Sequence, residues 1–219
     1  MISMHSDDYD IKKLVESGYD RISERYLAWS SSPSPRLLYL QQVLDRLPER
    51  AQMVELGCGA GVPATRFITE RAHVTGVDIS AAQIALARRY VPDATLIQAD
   101  MMALEFPPLA FDAVVALYSI IHVPRVEQAM LIPRLAEWLR PHGQLLMNLG
   151  ISDEPGFIDP DWLGAPMYWS SYNSDTYLDM IRQAGLALIE AKIIEDDEDG
   201  TPVKFFWIWA DKNKVGASE

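Results

Sequence analysis

Three alternating glycines, Gly57, Gly59 and Gly61, follow the acidic residue Glu55 where a β-rich run gives way to a helical stretch. Glycine suits such a turn because it adopts backbone angles that are costly for other residues and lets a ligand approach the main chain closely. The N-terminus of the following helix adds free N–H groups and positive potential, which favour a carboxylate. The alternative is a glycine-rich turn without a ligand. The pattern favours a small-molecule site at this turn.

The spacing of the glycines separates two classes of ligand. A dinucleotide-binding fingerprint, Gly-x-Gly-x-x-Gly, would place its third glycine at position 62, where this chain has Val62 followed by Pro63. The third glycine comes one residue earlier here. The spacing therefore disfavours a nicotinamide cofactor and a dinucleotide oxidoreductase.

Two further acids follow the next two β-rich runs. Asp78 can accept hydrogen bonds from both hydroxyls of a ribose; the alternative is a helix N-cap, a role that Ser80 could fill. Asp100 can accept from the exocyclic amine of adenine, with Met101 against the face of the ring. Because the carboxyl ends of parallel strands meet at one edge of a sheet, the three acids together predict an adenosyl site.

His122 follows the fourth β-rich run, on the side of the sheet where ligands bind in such folds. The pKa of histidine lies near neutrality, which suits a general base for a nucleophile that must lose a proton. The alternative is a loop histidine that caps the helix after Pro124. No set of His, Cys and Asp residues has metal-ligand spacing, and residues 195–199 lack the ligand order of a calcium loop.

Residues 161–172 contain two tryptophans and two tyrosines outside the predicted helices and strands. Such rings are costly to leave in water, so they either cover an edge of the sheet or line an apolar substrate pocket. We expect Trp169 and Tyr172 to contact the substrate. An aromatic wall suits a flat or cationic small molecule, including an amine held by cation–π attraction.

The elements that position these residues alternate along the middle of the chain. The β-rich runs are residues 52–56, 73–77, 94–98, 111–117 and 144–149, and the helical stretches between them are residues 63–71, 81–90 and 126–139. This alternation predicts a parallel sheet with helices on both faces.

The last third of the chain has a different pattern. Residues 152–173, rich in Pro, Gly and aromatic residues, are predicted to be irregular. A helix is expected at residues 174–184, with Ser174 as its N-cap. The β-rich runs 186–194 and 203–210 predict an antiparallel hairpin around an acidic loop.

The length of 219 residues fits one domain. We expect residues 1–50 to form an N-terminal helical cap, residues 51–150 a ligand-binding core, and residues 151–219 a substrate-side loop and C-terminal hairpin. The cap would contain two amphipathic helices, at residues 8–29 and 35–47, with a turn at residues 30–34.

The charge and cysteine content restrict the partners. The net charge of −12 disfavours phosphate backbones and anionic lipid, so neither nucleic acid nor a membrane is an expected partner. One cysteine excludes an intramolecular disulfide. We find no signal-peptide pattern and no apolar run long enough to span a bilayer. The sequence therefore predicts a cytoplasmic protein with a small-molecule substrate, as a monomer or homodimer.

With these residues in view, the chain resembles the class I S-adenosylmethionine-dependent methyltransferases of the small-molecule type. Residues 54–61 resemble the glycine loop of that family, Asp78 its ribose acid and Asp100 its adenine acid; residues 111–117 are similar to its fourth strand, and residues 139–146 to the turn into the fifth. The resemblance implies an α/β fold, a Rossmann-like three-layer sandwich. Its seven-stranded sheet would be mostly parallel, of order 3-2-1-4-5-7-6, with an antiparallel last strand.

The resemblance also implies S-adenosylmethionine as cofactor, S-adenosylhomocysteine as product, no metal, and a set of site residues. Tyr19 and Tyr26 look like the family's cover over the methionine moiety, with helix packing as the alternative. Cofactor contact is expected of Tyr19, Tyr26, Glu55, Leu56, Gly57, Cys58, Gly59, Asp78, Ile79, Gln83, Ala99, Asp100, Met101, Leu117, Tyr118 and Ser119. Substrate contact is expected of His122, Trp169 and Tyr172.

The expected reaction is transfer of a methyl group to a small, apolar or aromatic acceptor by in-line displacement. Nitrogen, oxygen and sulfur acceptors all remain open. Because the sulfonium leaving group is already activated, the protein mainly positions the nucleophile and excludes water. The alternative is a non-methyl reaction, such as a cyclisation or isomerisation, on the same fold with the same cofactor.

Overall fold

The computed structural model describes residues 10–30, 35–198 and 200–212. The helices are α1 (Ile11–Trp29), α2 (Arg36–Leu44), α3 (Ala64–Thr69), α4 (Ala81–Tyr90), α5 (Arg125–Trp138) and α6 (Ser174–Gln183). The strands are β1 (Gln52–Leu56), β2 (His73–Asp78), β3 (Thr95–Gln98), β4 (Phe111–Ala116), β5 (Leu139–Leu149), β6 (Glu154–Trp162), β7 (Ala165–Ser171), β8 (Leu186–Glu198) and β9 (Thr201–Lys212). None of the described helices is both long and apolar enough to cross a bilayer.

Seven of these strands form one sheet in the order β3-β2-β1-β4-β5-β9-β8. Strands β1 to β5 pair in parallel, and β9 is antiparallel to both β5 and β8. The predicted Rossmann-like fold with its antiparallel last strand is confirmed. The strand numbers differ from 3-2-1-4-5-7-6 only because β6 and β7 form a separate two-stranded sheet.

The central strands are apolar on both faces, as a sheet covered by helices on each side requires. Residues 113–116 of β4 are fully buried. Val114 and Ala116 pack with α5 and α6 in one apolar core, whereas Ala113 and Val115 pack with α2 and α3 in another. Alternate residues of one strand therefore serve the two outer layers of the sandwich.

Helix α1 and the β6–β7 hairpin form a third apolar cluster. Val15 and Ile22 of α1 pack against Met167 and Tyr168 of β7. The two elements approach closely at Gly18, where an added Cβ would lie 2.9 Å from the Cε of Met167. Helix α1 begins after its N-cap, Asp10; the predicted start at residue 8 and most of the predicted turn at 30–34 lie outside the described residues.

The prediction of an irregular stretch at residues 152–173 is wrong, because most of it forms β6 and β7. The hairpin turns at Leu163 and Gly164, whose φ values of 51° and 94° are typical of a tight turn. The prediction that Ser174 is the N-cap of α6 is also wrong. The N-cap of α6 is Asn173, whose Oδ1 accepts a hydrogen bond from the N–H of Thr176 at 3.0 Å.

The fifth strand is longer than predicted. It begins at Leu139, so residues 139–143 continue the strand where the sequence predicted the end of a helix and a turn. The register between β4 and β5 shifts in this region, and His142 has a φ of 65°. The extra residues are accommodated as an irregularity within the strand.

Candidate functional site

The glycine loop begins where β1 ends, and its three glycines have φ values of 76°, 54° and 76°. Side chains rarely adopt these angles. At Gly57 a side chain is also excluded by space, because an added Cβ would lie 2.2 Å from the Cβ of Ser119. The Ser119 hydroxyl donates to the carbonyl of Leu56 at 2.7 Å, which ties the ends of β1 and β4 together.

Asp78 joins the glycine loop to the end of β2. Its Oδ2 accepts from the N–H of Gly59 at 2.8 Å, and its Oδ1 accepts from the N–H of Ser80 at 2.9 Å. Burial raises the pKa of Asp78 to about 6, although these N–H groups oppose the shift. Ser80, not Asp78, caps α4 through its hydroxyl. Asp78 therefore fixes the loop and keeps further lone pairs for a ligand.

Glu55 lies near the end of β1 and is buried. The hydroxyl of Thr65 donates to its Oε2 at 2.6 Å. Burial raises the pKa of Glu55 to about 7, against the opposing effects of Thr65 and of the positive charge of Arg36. A carboxyl group with a pKa near neutrality can exchange its proton or accept a hydrogen bond as its surroundings change.

Asp100 follows β3 and faces helix α1. Its Oδ1 accepts from the N–H of Met102 at 2.9 Å. Its Oδ2 lies 2.7 Å from the Nζ of Lys12, which also lies 2.9 Å from Glu127 Oε2. Lys12 therefore links α1 to two elements at the edge of the sheet.

A second attachment of α1 runs through Asp20. Its Oδ1 accepts from the hydroxyl of Ser80 at 2.6 Å and from the N–H of Ala82 at 3.0 Å. Helix α1 is thus held across the carboxyl ends of the strands, against the first turn of α4.

These groups line a cavity of about 100 Å³, here called the loop cavity. An adjoining cavity of about 390 Å³, here called the aromatic cavity, lies between α1, the β6–β7 hairpin and the β8–β9 hairpin. Six residues line both cavities: Tyr19, Tyr26, Ser30, Arg36, Tyr118 and His122. The site therefore has two compartments with a shared wall.

His122 is buried in that wall, and both of its ring nitrogens have partners. Its Nδ1 lies 2.8 Å from the carbonyl oxygen of Tyr168, which can only accept, so Nδ1 carries the proton. Its Nε2 then accepts from the hydroxyl of Tyr19 at 2.8 Å. Burial lowers the pKa of His122 to about 4, so the ring is neutral at physiological pH.

The aromatic cavity is lined by rings that contact one another. Trp162 lies at the centre of the cluster, with ring centroids 5.9 Å from Tyr19, 5.7 Å from Trp29 and 5.4 Å from Trp169. Phe157 stacks on Trp169 at 5.5 Å. The lining also contains four acidic residues, Glu154, Asp159, Asp196 and Asp197, and two basic residues, Arg36 and Lys204.

Residues 53–143 match the family model described as a methyltransferase domain. A curated relative, the 27-O-demethylrifamycin SV methyltransferase of Amycolatopsis mediterranei strain S699, is 39% identical over 111 residues, which are 47% of this chain and 40% of that protein. Over this matched segment the chain is similar to class I S-adenosylmethionine-dependent methyltransferases. The chain spans less than two thirds of the length of that relative and of the other curated relatives that it matches well.

Solved structures share the fold of this chain over most of its length. A 1,6-didemethyltoxoflavin-N1-methyltransferase of Burkholderia thailandensis, with bound 1,6-didemethyltoxoflavin and S-adenosylhomocysteine, has a TM-score of 0.72 and 16% identity over 97% of this chain and 94% of that one. The 4+2 cyclase SpnF has a TM-score of 0.69 and 18% identity over 92% of this chain and 95% of that one. At these identities the likeness is one of fold.

The residues of the loop cavity fit S-adenosylmethionine, the cofactor that the family uses. An added Cβ at Gly59 would meet no atom closer than 3.8 Å, so the main chain there borders open space. The atom at that distance is Oε1 of Gln83, whose two amide atoms are buried with no hydrogen-bond partner among the described residues. Buried amides without partners are costly, and a ligand with hydroxyl groups could satisfy them.

Most of the predicted cofactor residues line the loop cavity. They are Tyr19, Tyr26, Glu55, Gly57, Cys58, Gly59, Asp78, Ile79, Ala99, Asp100, Met101, Leu117, Tyr118 and Ser119. Leu56 is fully buried behind the loop, and Gln83 lies behind Gly59.

Only some of the predicted substrate residues line the aromatic cavity. His122 and Trp169 line the aromatic cavity, but Tyr172 lines neither cavity. Its ring lies 5.1 Å from the guanidinium of Arg125 and 5.9 Å from the ring of Tyr177. Tyr172 follows the end of β7, so its ring packs over α5 and α6 and not towards the cavity.

Sequence reasoning missed four residues of these walls. Arg36 lines both cavities, Lys12 pairs with Asp100, and Trp162 and Asp196 line the aromatic cavity. Trp162 lies within the aromatic stretch that the sequence did indicate. The other three reach the site through long-range packing of helices and hairpins, for which the sequence carries no local signal. Among the described residues, no group of three or more His, Cys, Asp or Glu residues could hold a metal ion.

Proposed function

We propose that this protein transfers a methyl group from S-adenosylmethionine to a small, apolar or aromatic acceptor, at a nitrogen, oxygen or sulfur atom. One observation carries the proposal: two adjoining cavities share a wall, and one has the acids and glycines of an adenosyl site while the other has aromatic walls. The donor and the acceptor would meet at the shared wall.

The cofactor would lie across the carboxyl ends of β1 to β4. Asp78 would bind the ribose hydroxyls, and Asp100 with Met101 would bind the adenine. Glu55 and the glycine loop would contact the methionine part of the cofactor. Arg36 lines the same cavity near Glu55, so its guanidinium would pair with the carboxylate of the methionine part. When bound, S-adenosylmethionine supplies an electrophilic methyl carbon on a leaving group that is already activated.

The chain itself orients the acceptor and excludes water. Trp162 contacts the rings of Tyr19 and Trp169 at the wall of the aromatic cavity, and with an acceptor bound these rings would exclude water from it. We retain the proposal that His122 acts as a general base. Since Nε2 accepts from Tyr19, a proton lost by the acceptor would pass to Nε2 through the hydroxyl of Tyr19.

One observation favours a second candidate function. Both nitrogens of His122 have partners and its pKa is lowered to about 4, which weakens it as a base for an acceptor that must lose a proton. A cyclase shares the fold. The second candidate is therefore a non-methyl reaction, such as a cyclisation or isomerisation, in the same aromatic cavity.

The test is to measure donor binding and product formation separately. Calorimetry with S-adenosylhomocysteine should show binding that Asp78→Asn weakens by about tenfold or more, because a hydrogen bond to a charged group contributes about 1.5–3 kcal/mol. Mass spectrometry should then detect S-adenosylhomocysteine formed from S-adenosylmethionine with flat aromatic acceptors.

Two results would contradict the proposal in different ways. No heat with either S-adenosylmethionine or S-adenosylhomocysteine, on folded protein, would remove the cofactor assignment. Conversion of an acceptor without formation of S-adenosylhomocysteine would favour the cyclisation or isomerisation. A cytoplasmic location, a monomeric or homodimeric state and the exclusion of nucleic acid and membrane as partners also remain proposals.

A further inference from the structure

Asp196 of β8 is a buried carboxylate on the wall of the aromatic cavity, with 9% of its surface exposed. Its Oδ2 accepts from the hydroxyl of Tyr118 at 2.5 Å. Its other oxygen makes no hydrogen bond to a described residue, and none of the ion pairs between described residues includes Asp196. Among the described residues, this carboxylate therefore has one neutral hydrogen-bond partner and no ion-pair partner.

Tyr118 is held so that its hydroxyl points at Asp196. Its φ is 56°, a left-handed conformation that is costly for a bulky residue. Its N–H donates to Asn148 Oδ1 at 2.5 Å, and its ring contacts Phe205 edge-on at 5.0 Å. Strain that the surroundings maintain at a cavity wall is typical of a binding site.

The other three acids of the cavity accept hydrogen bonds from backbone N–H groups two or three residues further along the chain. Glu154 accepts from the N–H of Gly156 at 3.0 Å, Asp159 from that of Asp161 at 2.9 Å, and Asp197 from that of Gly200 at 2.6 Å. Asp196 differs from them because its partner belongs to another strand end, across the wall.

Among the described residues, neither basic residue of the cavity forms an ion pair with Asp196. The guanidinium of Arg36 lies 4.7 Å from the centre of the Tyr118 ring, and its charge also acts on Glu55. The Nζ of Lys204 lies 3.9 Å from Oε2 of Glu195. Four acids thus face two bases, and the faces of the aromatic rings add further negative potential.

A buried carboxylate without a cation is costly, and an anionic ligand would increase that cost. A cationic ligand would relieve it. We propose that the acceptor carries a positively charged nitrogen, separate from the atom that receives the methyl group, and that Asp196 pairs with this nitrogen while the aromatic rings cover it. This inference rests on the proposed function, since it assigns the aromatic cavity to the acceptor.

The test uses binding and not turnover. The full chain is saturated with S-adenosylhomocysteine and titrated with three bicyclic probes of similar size: N-methylquinolinium, neutral 2-naphthol and anionic 2-naphthoate. Quenching of tryptophan fluorescence reports binding, because three tryptophans line the cavity. We expect N-methylquinolinium to bind about tenfold more tightly than 2-naphthol, with 2-naphthoate weakest.

Asp196→Asn should remove this preference, weakening N-methylquinolinium by about tenfold while leaving 2-naphthol within about twofold. The matched control is Asp93→Asn, an exposed acid that lines neither cavity, which should leave the ranking unchanged. Where Asp196→Asn does not fold, the ranking of the three probes on the unaltered chain remains the test.

The outcomes separate the two proposals. Equal or tighter binding of 2-naphthoate, or an unchanged preference in Asp196→Asn, overturns the inference but leaves the methyltransferase proposal standing, provided that S-adenosylhomocysteine binds. Failure of S-adenosylhomocysteine to bind overturns the proposed function by itself.

Discussion

The two cavities of this molecule are built in different ways. The three acids of the loop cavity, Glu55, Asp78 and Asp100, lie in β1, at the end of β2 and after β3, within the matched segment 53–143. The aromatic cavity is assembled from α1, the β6–β7 hairpin and the β8–β9 hairpin, which lie far apart in the sequence. The backbone of the sheet therefore determines the loop cavity, whereas side-chain packing between distant elements determines the aromatic cavity.

This difference predicts which changes each cavity tolerates. The parallel ladder fixes the strand ends, so the loop cavity depends on single positions where a backbone angle or a carboxylate has no substitute. The aromatic cavity depends on many ring contacts, each of which contributes about 0.5–1.5 kcal/mol beyond its burial. We therefore expect sharp effects in the first cavity and graded effects in the second.

The largest expected effect is that of Gly57→Ala, compared with Gly185→Ala. The two glycines have φ values of 76° and 75°, so the backbone strain is the same. An added Cβ meets Ser119 at 2.2 Å in the first and nothing within 4 Å in the second. We expect Gly57→Ala to lower the free energy of unfolding by about 3–4 kcal/mol and Gly185→Ala by about 1 kcal/mol, measured in urea.

Gly57→Ala should also abolish measurable binding of S-adenosylhomocysteine in calorimetry, whereas Gly185→Ala should bind it normally. Equal losses of stability in the two variants would show that the contact with Ser119 relaxes at no cost, and the backbone account of the loop cavity would then be wrong.

The next effect concerns pH and Glu55→Gln. The pKa of Glu55 is about 7 in the folded protein, against an ordinary value of 4.5. Below pH 4.5 Glu55 is mostly protonated in both the folded and the unfolded protein. As the pH rises towards 7 and beyond, the unfolded protein releases this proton more readily than the folded one, so the unfolded state is stabilised relative to the folded state. The unaltered chain should therefore lose about 3 kcal/mol relative to Glu55→Gln between pH 4.5 and pH 8.5.

Urea denaturation of both proteins across this range measures the difference. His122 titrates in both proteins, so its contribution cancels in the comparison, whereas the charge of Asp78 contributes to the raised pKa of Glu55 and is part of the measured difference. A difference that does not change with pH would mean that Glu55 is ionised in the folded protein at all these pH values.

The sequence predicted the loop cavity better than the aromatic cavity, for the same structural reason. Asp78 and Asp100 could be located because strand ends are readable from local patterns of β-rich runs, and parallel strands bring their ends together. Gly57 was recognisable because only glycine fits such a turn. These inferences needed no knowledge of distant contacts.

The aromatic cavity lacked such local signals. Pro155, Pro160 and Pro166 interrupt the alternation in residues 154–171, so the β6–β7 hairpin was predicted as irregular. Whether Trp169 or Tyr172 faces the cavity depends on where β7 ends. Asp196 reaches the wall only because β8 continues beyond residue 194, where the prediction ended the strand.

His122→Ala tests the wall that the cavities share. Removal of the ring frees the hydroxyl of Tyr19 and the carbonyl of Tyr168, but touches neither Asp78 nor the glycine loop. We expect kcat to fall by about 100-fold, the lower range for general base catalysis, while the Kd of S-adenosylhomocysteine changes by less than about threefold.

A pH profile separates a base from a positioning residue. Since the pKa of His122 is about 4, the kcat of the unaltered enzyme should not change between pH 5.5 and 8 through this residue. His122→Asn, which can still donate to Tyr168 or accept from Tyr19, should recover part of the activity if the role is positioning. Unchanged turnover in His122→Ala would remove the residue from the mechanism.

The smallest expected effect lies where the two regions touch, at Lys12 of α1 and Asp100 after β3. Because this pair is partly exposed, Lys12→Met should cost at most about 0.5–1 kcal/mol in unfolding free energy. The Nζ of Lys12 pairs with Oδ2 of Asp100. The N–H of Met102 donates to Oδ1 of the same carboxylate and so orients it. We therefore expect removal of the amine to tighten binding of S-adenosylhomocysteine about twofold in calorimetry, by freeing Oδ2 for a ligand amine.

The control is Lys13→Met, which loses only a pair with Glu16 on the same helix and should leave binding unchanged. Weaker binding in Lys12→Met would mean that this lysine holds α1 over the cofactor more than it competes with it, and the two cavities would then be coupled through α1.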